Sequence, residues 1–413
     1  MRVAASLVLL ALLVFAAPVA QAAYYQGDAV SLSVGSIPSG YRTYWVSSLD
    51  GYLGYGNPFS VSTLRIGSHR VTAYIYRTSD WALVWQGTGT VEVLAKPATP
   101  APTAPTTPTT GTGSYAPGEF EPVTKFLLGT GDAYMVDWIY AQFLKGLRGV
   151  APTQIFVDNN YVQYDLIDAF QQYGVSDTSP TFTVAPVDSI WMRDYGPLFV
   201  KNAGKLEVVD ILYYPNRPSD DAIPRRFAQG AGLTSRACNV YWEGGNFTAD
   251  GQGNVFATDR LYTANTQYTT SQVKSMVESA FKGKLNVYDH MLNDGGTQHL
   301  DMFFLMTGAT KVMINRFPAG HQNYQRMENA ANRLTSSGYA VTRLDLADNV
   351  FASYSNAIIV NNVCFVPTYG KSTTDSAAMT AYRNAGYTVY GIDCREIITW
   401  SGALHCITIT VPK

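Results

Sequence analysis

Early in the chain the apolar positions recur every second residue. Val30-Ser31-Leu32-Ser33-Val34, Val71-Thr72-Ala73-Tyr74-Ile75-Tyr76 and Val91-Glu92-Val93-Leu94 alternate or are β-branched, with Gly and Ser clusters between them, the pattern of half-buried strands. Residues 23–96 are expected to form a small all-β sandwich of immunoglobulin-like type. From Gly118 onward the period changes. Val136, Ile139, Tyr140, Phe143, Leu144 and Leu147 fall at helical spacing, and Ile155-Phe156-Val157 follows as a short buried strand. The segment around Leu166 to Phe170 reads as helix again. Val273, Met276, Val277, Ala280 and Phe281 make another amphipathic face behind the cap candidates Thr270 and Ser271. Asp375 is expected to cap a helix that Gly386 ends before the strand Thr388-Val389-Tyr390. This alternation predicts one α/β domain over residues 118–413.

Between the two patterned regions, residues 97–117 are rich in Pro, Thr and Ala and carry no apolar period. They are expected to form an extended, solvated tether, on the order of 60 Å long at about 3.1 Å per residue. At the N-terminus, Arg2 precedes an apolar run from Val3 to Ala17 and then the small-x-small triplet Ala20-Gln21-Ala22. Residues 1–22 read as a secretory signal peptide, too short to favour a membrane span. A secreted protein, extracellular or periplasmic, is the expectation. The net charge of −2 advertises no basic surface for nucleic acid.

Export makes the four cysteines, Cys238, Cys364, Cys394 and Cys406, disulfide candidates. Cys364, inside Val363-Cys364-Phe365-Val366, reads as a buried core thiol, and the pairing of Cys238 with Cys394 is left open. Cys406 differs from the others. It follows His405 and precedes the alternation Ile407-Thr408-Ile409-Thr410-Val411, which places a thiol at the mouth of a final buried strand. An isolated cysteine is more often inert and buried; its company makes this one a candidate nucleophile.

Four polar loops border apolar runs: Trp191 to Pro197, Trp242 to Phe247, Gly295 to Asp301, and Ser355-Asn356-Ala357. If Leu300 to Leu305 is a strand, His299 and Asp301 share one face. Such a pair binds metal, makes a structural hydrogen bond, or forms half of a catalytic site. The chain's five histidines include no ligand-spaced cluster, which disfavours the metal reading. An unperturbed thiol is mostly protonated at neutral pH, and a nearby imidazolium, His299 or less favourably His405, would lower its pKa. Asp194, Glu243 and Asp301 would oppose a thiolate unless a cation sits between them, which points to a planar, bidentate cation such as a guanidinium.

These motifs resemble the guanidino-group-modifying enzymes of the pentein fold, specifically the bacterial-type peptidylarginine deiminase and agmatine deiminase family. The resemblance rests on Gly118-Glu119-Phe120-Glu121-Pro122, Trp191 to Pro197, Glu243 to Phe247, His299-Leu300-Asp301, Asn356 with Asn361-Asn362, and Ala403 to Cys406. It covers nearly all of residues 118–413 and none of the N-terminal module. It implies a five-bladed α/β propeller with the site at its centre and chemistry that needs no cofactor. By the same resemblance Cys406 attacks the guanidinium carbon and His299 is acid and then base. Asp194 and Asp301 hold the guanidinium nitrogens, Glu243 orients the histidine, and Asn356 is a site residue. Trp191, Arg217 and Asn246 are placed on the substrate side.

The implied substrates are arginine-containing peptides or proteins, with agmatine as the alternative. Tyr214 to Asp221 resembles a stretch of the secreted peptidylarginine deiminase in which two arginines hold the peptide's terminal carboxylate. Here Arg217 is retained and Ser219 follows Pro218. Glu243 is instead agmatine-deiminase-like. Readings of other classes are a cysteine hydrolase or amidinotransferase on Cys406, His299 and Asn356, and a catalytically dead adhesive protein. The N-terminal module is expected to serve as a spacer or to bind a surface partner. Asn246-Phe247-Thr248 is formally a glycosylation triplet, read as coincidence because it lies in a site loop.

Overall fold

The computed structural model describes residues 24–62, 64–79, 82–94, 113–131, 136–175, 180–347 and 352–413. The signal-peptide reading of residues 1–22, and the tether reading for residues 97–112, lie outside the described residues. Two compact units divide between Ala101 and Pro102. Among the described residues no helix is long and apolar enough to cross a membrane.

The N-terminal unit is all β. Tyr24–Tyr25, Leu83–Leu94, Gly67–Arg77, Tyr41–Ser47 and Gly51–Tyr55 line up in that order as one sheet, and Val30–Leu32 pairs with Phe59–Val61 in a second. Strict alternation sends His69, Val71, Ala73 and Ile75 of one strand inward, where they meet Trp45, Val30, Leu32 and Val91. The buried His69 ring is satisfied by Ser47 Oγ at 2.8 Å and the Arg65 carbonyl at 2.6 Å, so its role here is structural.

In the second unit one topology recurs five times. In each sheet a first strand runs antiparallel to a second, and the second runs parallel to a third: Leu198–Asn202, Lys205–Leu212, Thr234–Tyr241; then Thr248–Ala249, Asn254–Thr258, Lys284–Tyr288. Phe304–Gly308, Lys311–Arg316, Ala340–Asp345 and Ile358–Val360, Val363–Thr368, Thr388–Asp393 repeat it. The remaining sheet is completed from the far end of the chain. Thr408–Pro412 pairs antiparallel with Val123–Gly129, which runs parallel to Thr153–Val157 and onward to Thr181–Val184. Cys406 is thereby tied, two residues before its strand, to the first sheet of the unit.

Helices cross between the parallel strands, as the periodicity predicted: Asp137–Gly146, Asn160–Gln172, Thr270–Phe281 and Ser372–Asn384. Two caps differ from expectation. Thr269, one residue before the candidates Thr270 and Ser271, is the N-cap of the third helix, because its partner Gln272 completes a capping box. Asp375 lies inside the first turn of its helix and accepts the backbone N–H groups of Lys371 and Tyr369 at 2.9 and 3.0 Å, doing a cap's work from within. Gly386 follows that helix with φ +106°, a left-handed ending suited to glycine. Cys238, Cys364, Cys394 and Cys406 are all free and buried.

Candidate active site

The site forms where loops following the sheets converge. Met192–Tyr195 makes a single helical turn whose Arg193 N–H donates to the Cys406 carbonyl at 3.0 Å, fastening the loop of Trp191 and Asp194 to the backbone of Cys406. Gly244 and Gly245 form a 3₁₀ turn against it. A side chain at Gly244 would meet backbone, and one at Gly245 would enter the space between site side chains. A Cβ on Gly244 would lie 2.1 Å from the Arg193 carbonyl oxygen. A Cβ on Gly245 would lie 2.7 Å from His299 Nδ1, 2.8 Å from Asp194 Oδ1 and 3.1 Å from Asp301 Oδ2, so those three polar atoms surround one small space.

His299 and Asp301 reach that space by a different route from the one expected. Leu300–Met302 is a 3₁₀ turn and the strand begins only at Phe304, so strand alternation does not place the pair on one face. The turn buries both residues because Leu300, Met302 and Phe303 anchor it in the core. His299 Nδ1 lies 3.5 Å from Asp194 Oδ1, and Nε2 lies 3.9 Å from Glu243 Oε2. Burial pulls the His299 pKa down, but the charges of Asp194, Glu243 and Asp301 outweigh it and hold it above the ordinary value. Glu243 is gripped by Tyr214, whose hydroxyl donates at 2.6 Å, and by Arg260 Nη2 at 2.6 Å. Burial pushes the Glu243 carboxyl up, yet His299, Arg260 and Tyr214 leave it below its usual value. For Asp194 burial dominates, and Asp301 and Glu243 add to it against His299, raising the carboxyl to about 6.

Cys406 faces this cluster. The Asn356 amide nitrogen donates to Cys406 Sγ at 3.2 Å, and Asp301 Oδ2 is 3.6 Å from the same sulfur. The amide is oriented by His405, whose backbone N–H donates to Asn356 Oδ1 at 3.1 Å, which leaves the NH₂ end for the thiol. Burial, then the charges of Asp301 and Asp194, push the Cys406 thiol well above its ordinary pKa. In the empty site the sulfur is a neutral thiol. The Trp191 ring closes one side of it: a Cβ on Gly402 would lie 2.5 Å from Trp191 Cζ3 and 3.2 Å from Cys406 Cβ.

Cys406, His299, Asp301, Asp194, Glu243, Asn356 and Trp191 are thus brought together. Arg217 lies further out, its guanidinium 5.9 Å from the centre of the Tyr214 ring and its Nη1 3.4 Å from the hydroxyls of Tyr213 and Ser189. Burial lowers its pKa, but Tyr213, Asp220 and Asp194 more than compensate, so it is a fixed cation near Asp194. Asn246 is wholly buried, and its Oδ1 accepts the Thr258 N–H at 2.8 Å. That burial closes the glycosylation triplet to modification in the folded chain, and the Asn246 Nδ2 has no hydrogen-bond partner. Among the described residues no group of three or more His, Cys, Asp and Glu is placed to hold a metal ion.

Sequence reasoning undervalued five residues. His405 is not a partner for the thiol; its Nδ1 is 2.8 Å from Asp301 Oδ2 and its Nε2 is 2.8 Å from Glu119 Oε2. Glu119 also pairs with the buried Arg193. Arg260, with Tyr214, fixes Glu243. The available signal was charge beside aromatic and apolar residues: Glu119 precedes Phe120, and Arg193 follows Trp191 and Met192.

The family model for Porphyromonas-type peptidyl-arginine deiminase matches residues 124–412. A protein of Mycoplasma mycoides, provisionally named agmatine deiminase, is 27% identical over 280 residues, which span 54% of this chain and 75% of that protein. A Vibrio parahaemolyticus protein with the same provisional name is 22% identical over 73% of this chain and 97% of its own. In fold, the chain is similar to the agmatine deiminase of Enterococcus faecalis, with a TM-score of 0.63, 20% identity, and coverage of 73% of this chain and 96% of that one. The family match spans the five repeated sheets and every residue of the Cys406 cluster. The chain belongs to the Porphyromonas-type peptidyl-arginine deiminase family and is by that membership a guanidino-group deiminase, a hydrolase of the C–N bonds of linear amidines.

Proposed function

We propose that the chain is a secreted enzyme that converts peptidylarginine to peptidylcitrulline and ammonia through a covalent Cys406 intermediate. The observation that carries this reading is the charge arrangement around the thiol. Asp194, Asp301, Glu243 and Glu119 face His299, His405, Arg193 and Arg260. With those balanced, a thiolate at Cys406 is one negative charge too many in a buried site. A guanidinium restores neutrality, and its planar N–H groups match the open carboxylate oxygens of Asp194 and Asp301. Substrate binding and thiolate formation then support each other.

In the reaction so organised, the thiol proton passes to solvent as the cation binds, where the released ammonia later takes one up; the sulfur bonds to the guanidinium carbon and one nitrogen departs as ammonia, taking its proton from His299. A water gives that proton back to His299 as its oxygen attacks the S-alkylthiouronium carbon. The C–S bond breaks, and the ureido product leaves with the thiol restored. Overall, guanidinium and water give the ureido group and ammonium. Glu243 keeps His299 oriented, and the Asn356 N–H stabilises charge on the sulfur.

The rim favours arginine within a peptide. Arg217 and Arg260 stand on either side of Tyr214, where agmatine would carry its distal ammonium close to fixed cations. A peptide with a C-terminal arginine would instead present a carboxylate to Arg217. Agmatine deimination is the second reading, favoured by the Glu243–His299 contact and by the names of the relatives. We read the five repeated sheets as blades of a closed ring around Cys406, and the all-β unit as an immunoglobulin-like spacer or attachment module. The test is ureido-product formation on an internal-arginine peptide, a C-terminal-arginine peptide and agmatine, with Cys406→Ala as control. Peptide turnover that the variant loses supports the proposal; turnover of agmatine alone transfers it to the second reading.

A further inference from the structure

Asp301 Oδ2 is already engaged, by His405 Nδ1 at 2.8 Å and by the thiol at 3.6 Å. Its other oxygen, Oδ1, is buried and has no hydrogen-bond partner. The rotation of the carboxylate is therefore set by His405, which holds Oδ2 beside the space bounded by His299 and Asp194 and leaves Oδ1 unpaired. His405 is set in turn. Both of its ring nitrogens meet carboxylates, Asp301 on one side and Glu119 on the other, and a ring between two carboxylates donates from both nitrogens. Glu119 cannot swing away, because Arg193 holds its second oxygen. Arg193 is itself pinned by its backbone bond to the Cys406 carbonyl.

We propose that Glu119 is a positioning residue for the guanidinium site: through the His405 imidazolium it fixes the orientation of the Asp301 carboxylate, whose Oδ2 borders the space shared with His299 and Asp194. This rests on the guanidine reading of the site but goes beyond it. Glu119 touches neither substrate nor sulfur, and it lies 286 residues from its partner His405. The chain Glu119–His405–Asp301 also places a positive charge against the Asp301 carboxylate.

The test is binding of methylguanidinium, a probe common to every guanidine substrate, by titration calorimetry on Cys406→Ala protein. The comparison adds Glu119→Gln, His405→Gln, and both together, with circular dichroism to confirm folding. Each single variant is expected to weaken binding roughly 10- to 100-fold, the equivalent of one hydrogen bond between charged groups. The double variant should be no more than about threefold worse than the weaker single, because the two residues act through one carboxylate. A residue of purely structural importance would not produce that non-additivity. Single variants that bind within about twofold of the parent, losses that multiply in the double variant, or a parent that binds no methylguanidinium would each overturn the inference. Should Glu119→Gln fail to fold, Glu119→Asp, which keeps the charge but shortens its reach to His405, replaces it in both the single and the double variant with the same expected losses. Wild-type turnover is scored separately: inert wild-type enzyme sinks the proposed reaction, whereas the binding series decides the role of Glu119.

Discussion

The Asn356 amide nitrogen stands 3.2 Å from the Cys406 sulfur although the two residues are 50 positions apart in the chain. The contact exists because His405, one residue before the cysteine, turns the amide with its own backbone N–H. The result is a thiol given a side-chain hydrogen-bond donor in a site rich in carboxylates. Such a thiol is held in reserve until a cation arrives.

Alkylation should report this directly. Burial and the charges of Asp301 and Asp194 raise the Cys406 pKa well above its ordinary value, so neutral iodoacetamide should label it slowly across the neutral range. A cationic haloacetamidine of similar size should label it faster by roughly two orders of magnitude or more, because it brings the missing charge. Equal rates for the two reagents, followed by mass spectrometry of the Cys406 peptide, would contradict the electrostatic account.

Gly245→Ala should abolish turnover without unfolding the protein. The added methyl falls within 3.1 Å of His299, Asp194 and Asp301 at once, which is the volume a guanidinium needs. Activity is expected to fall at least about 100-fold, the scale attached to a displacement of about 1 Å at a reacting centre. The thermal midpoint should change little, since those neighbours are side chains around a space rather than packed core. A variant with near-normal activity would place substrate elsewhere.

Asp194 predicts a trade between stability and activity. Burial, with Asp301 and Glu243, raises its carboxyl to about 6, against a model-compound value of 3.8. A raised folded-state pKa means that its contribution to stability is fully present below about 3.8 and is lost as pH rises through about 6. At pH 8 the ionised carboxylate is a net cost to the empty protein. Asp194→Asn should therefore raise the melting temperature at pH 8 by a few degrees, about 1 kcal/mol corresponding to roughly 2–4 °C in a domain of 150–250 residues, while turnover collapses. The gain should vanish at pH 4. A melting temperature that falls at pH 8 would show that Asp194 stabilises the fold.

Arg217→Ala is expected to raise KM for a C-terminal-arginine peptide by about tenfold, the size of one exposed charge-assisted contact. The KM for agmatine should stay constant or fall. Parallel losses on both substrates in steady-state assays would remove Arg217 from substrate recognition and leave it as a support for Tyr213 and Tyr214.

Much of the site was legible because polar residues in apolar surroundings stand out. Cys406 before the last strand, His299-Leu300-Asp301 and the Glu243-Gly244-Gly245-Asn246 turn announced themselves as loops at strand ends, where an α/β scaffold holds its chemistry. Period two and period 3.6 likewise marked the strands of the N-terminal unit and the helices of the second. Alternation misled at His299 and Asp301, since a 3₁₀ turn buries neighbouring residues together through tertiary packing that local pattern does not encode. The cap at Thr269 was missed by one position because adjacent hydroxyl residues are equivalent until the Gln272 bond is seen. Glu119 and His405 were underread for a topological reason. Their contact joins the first and last strands of a sheet built from both ends of the unit, and no window of sequence contains both. The fivefold recurrence of the sheet was implied only by the family resemblance, because the repeats share topology rather than residues.

The most direct measurement is the intact mass of the enzyme acid-quenched during turnover of an arginine peptide, followed by peptide mapping. The account predicts an adduct equal to the peptide substrate less ammonia, located on Cys406, absent from Cys406→Ala and chased into ureido product in wild-type enzyme. Product formation that persists in Cys406→Ala, or an adduct on another residue, would contradict it.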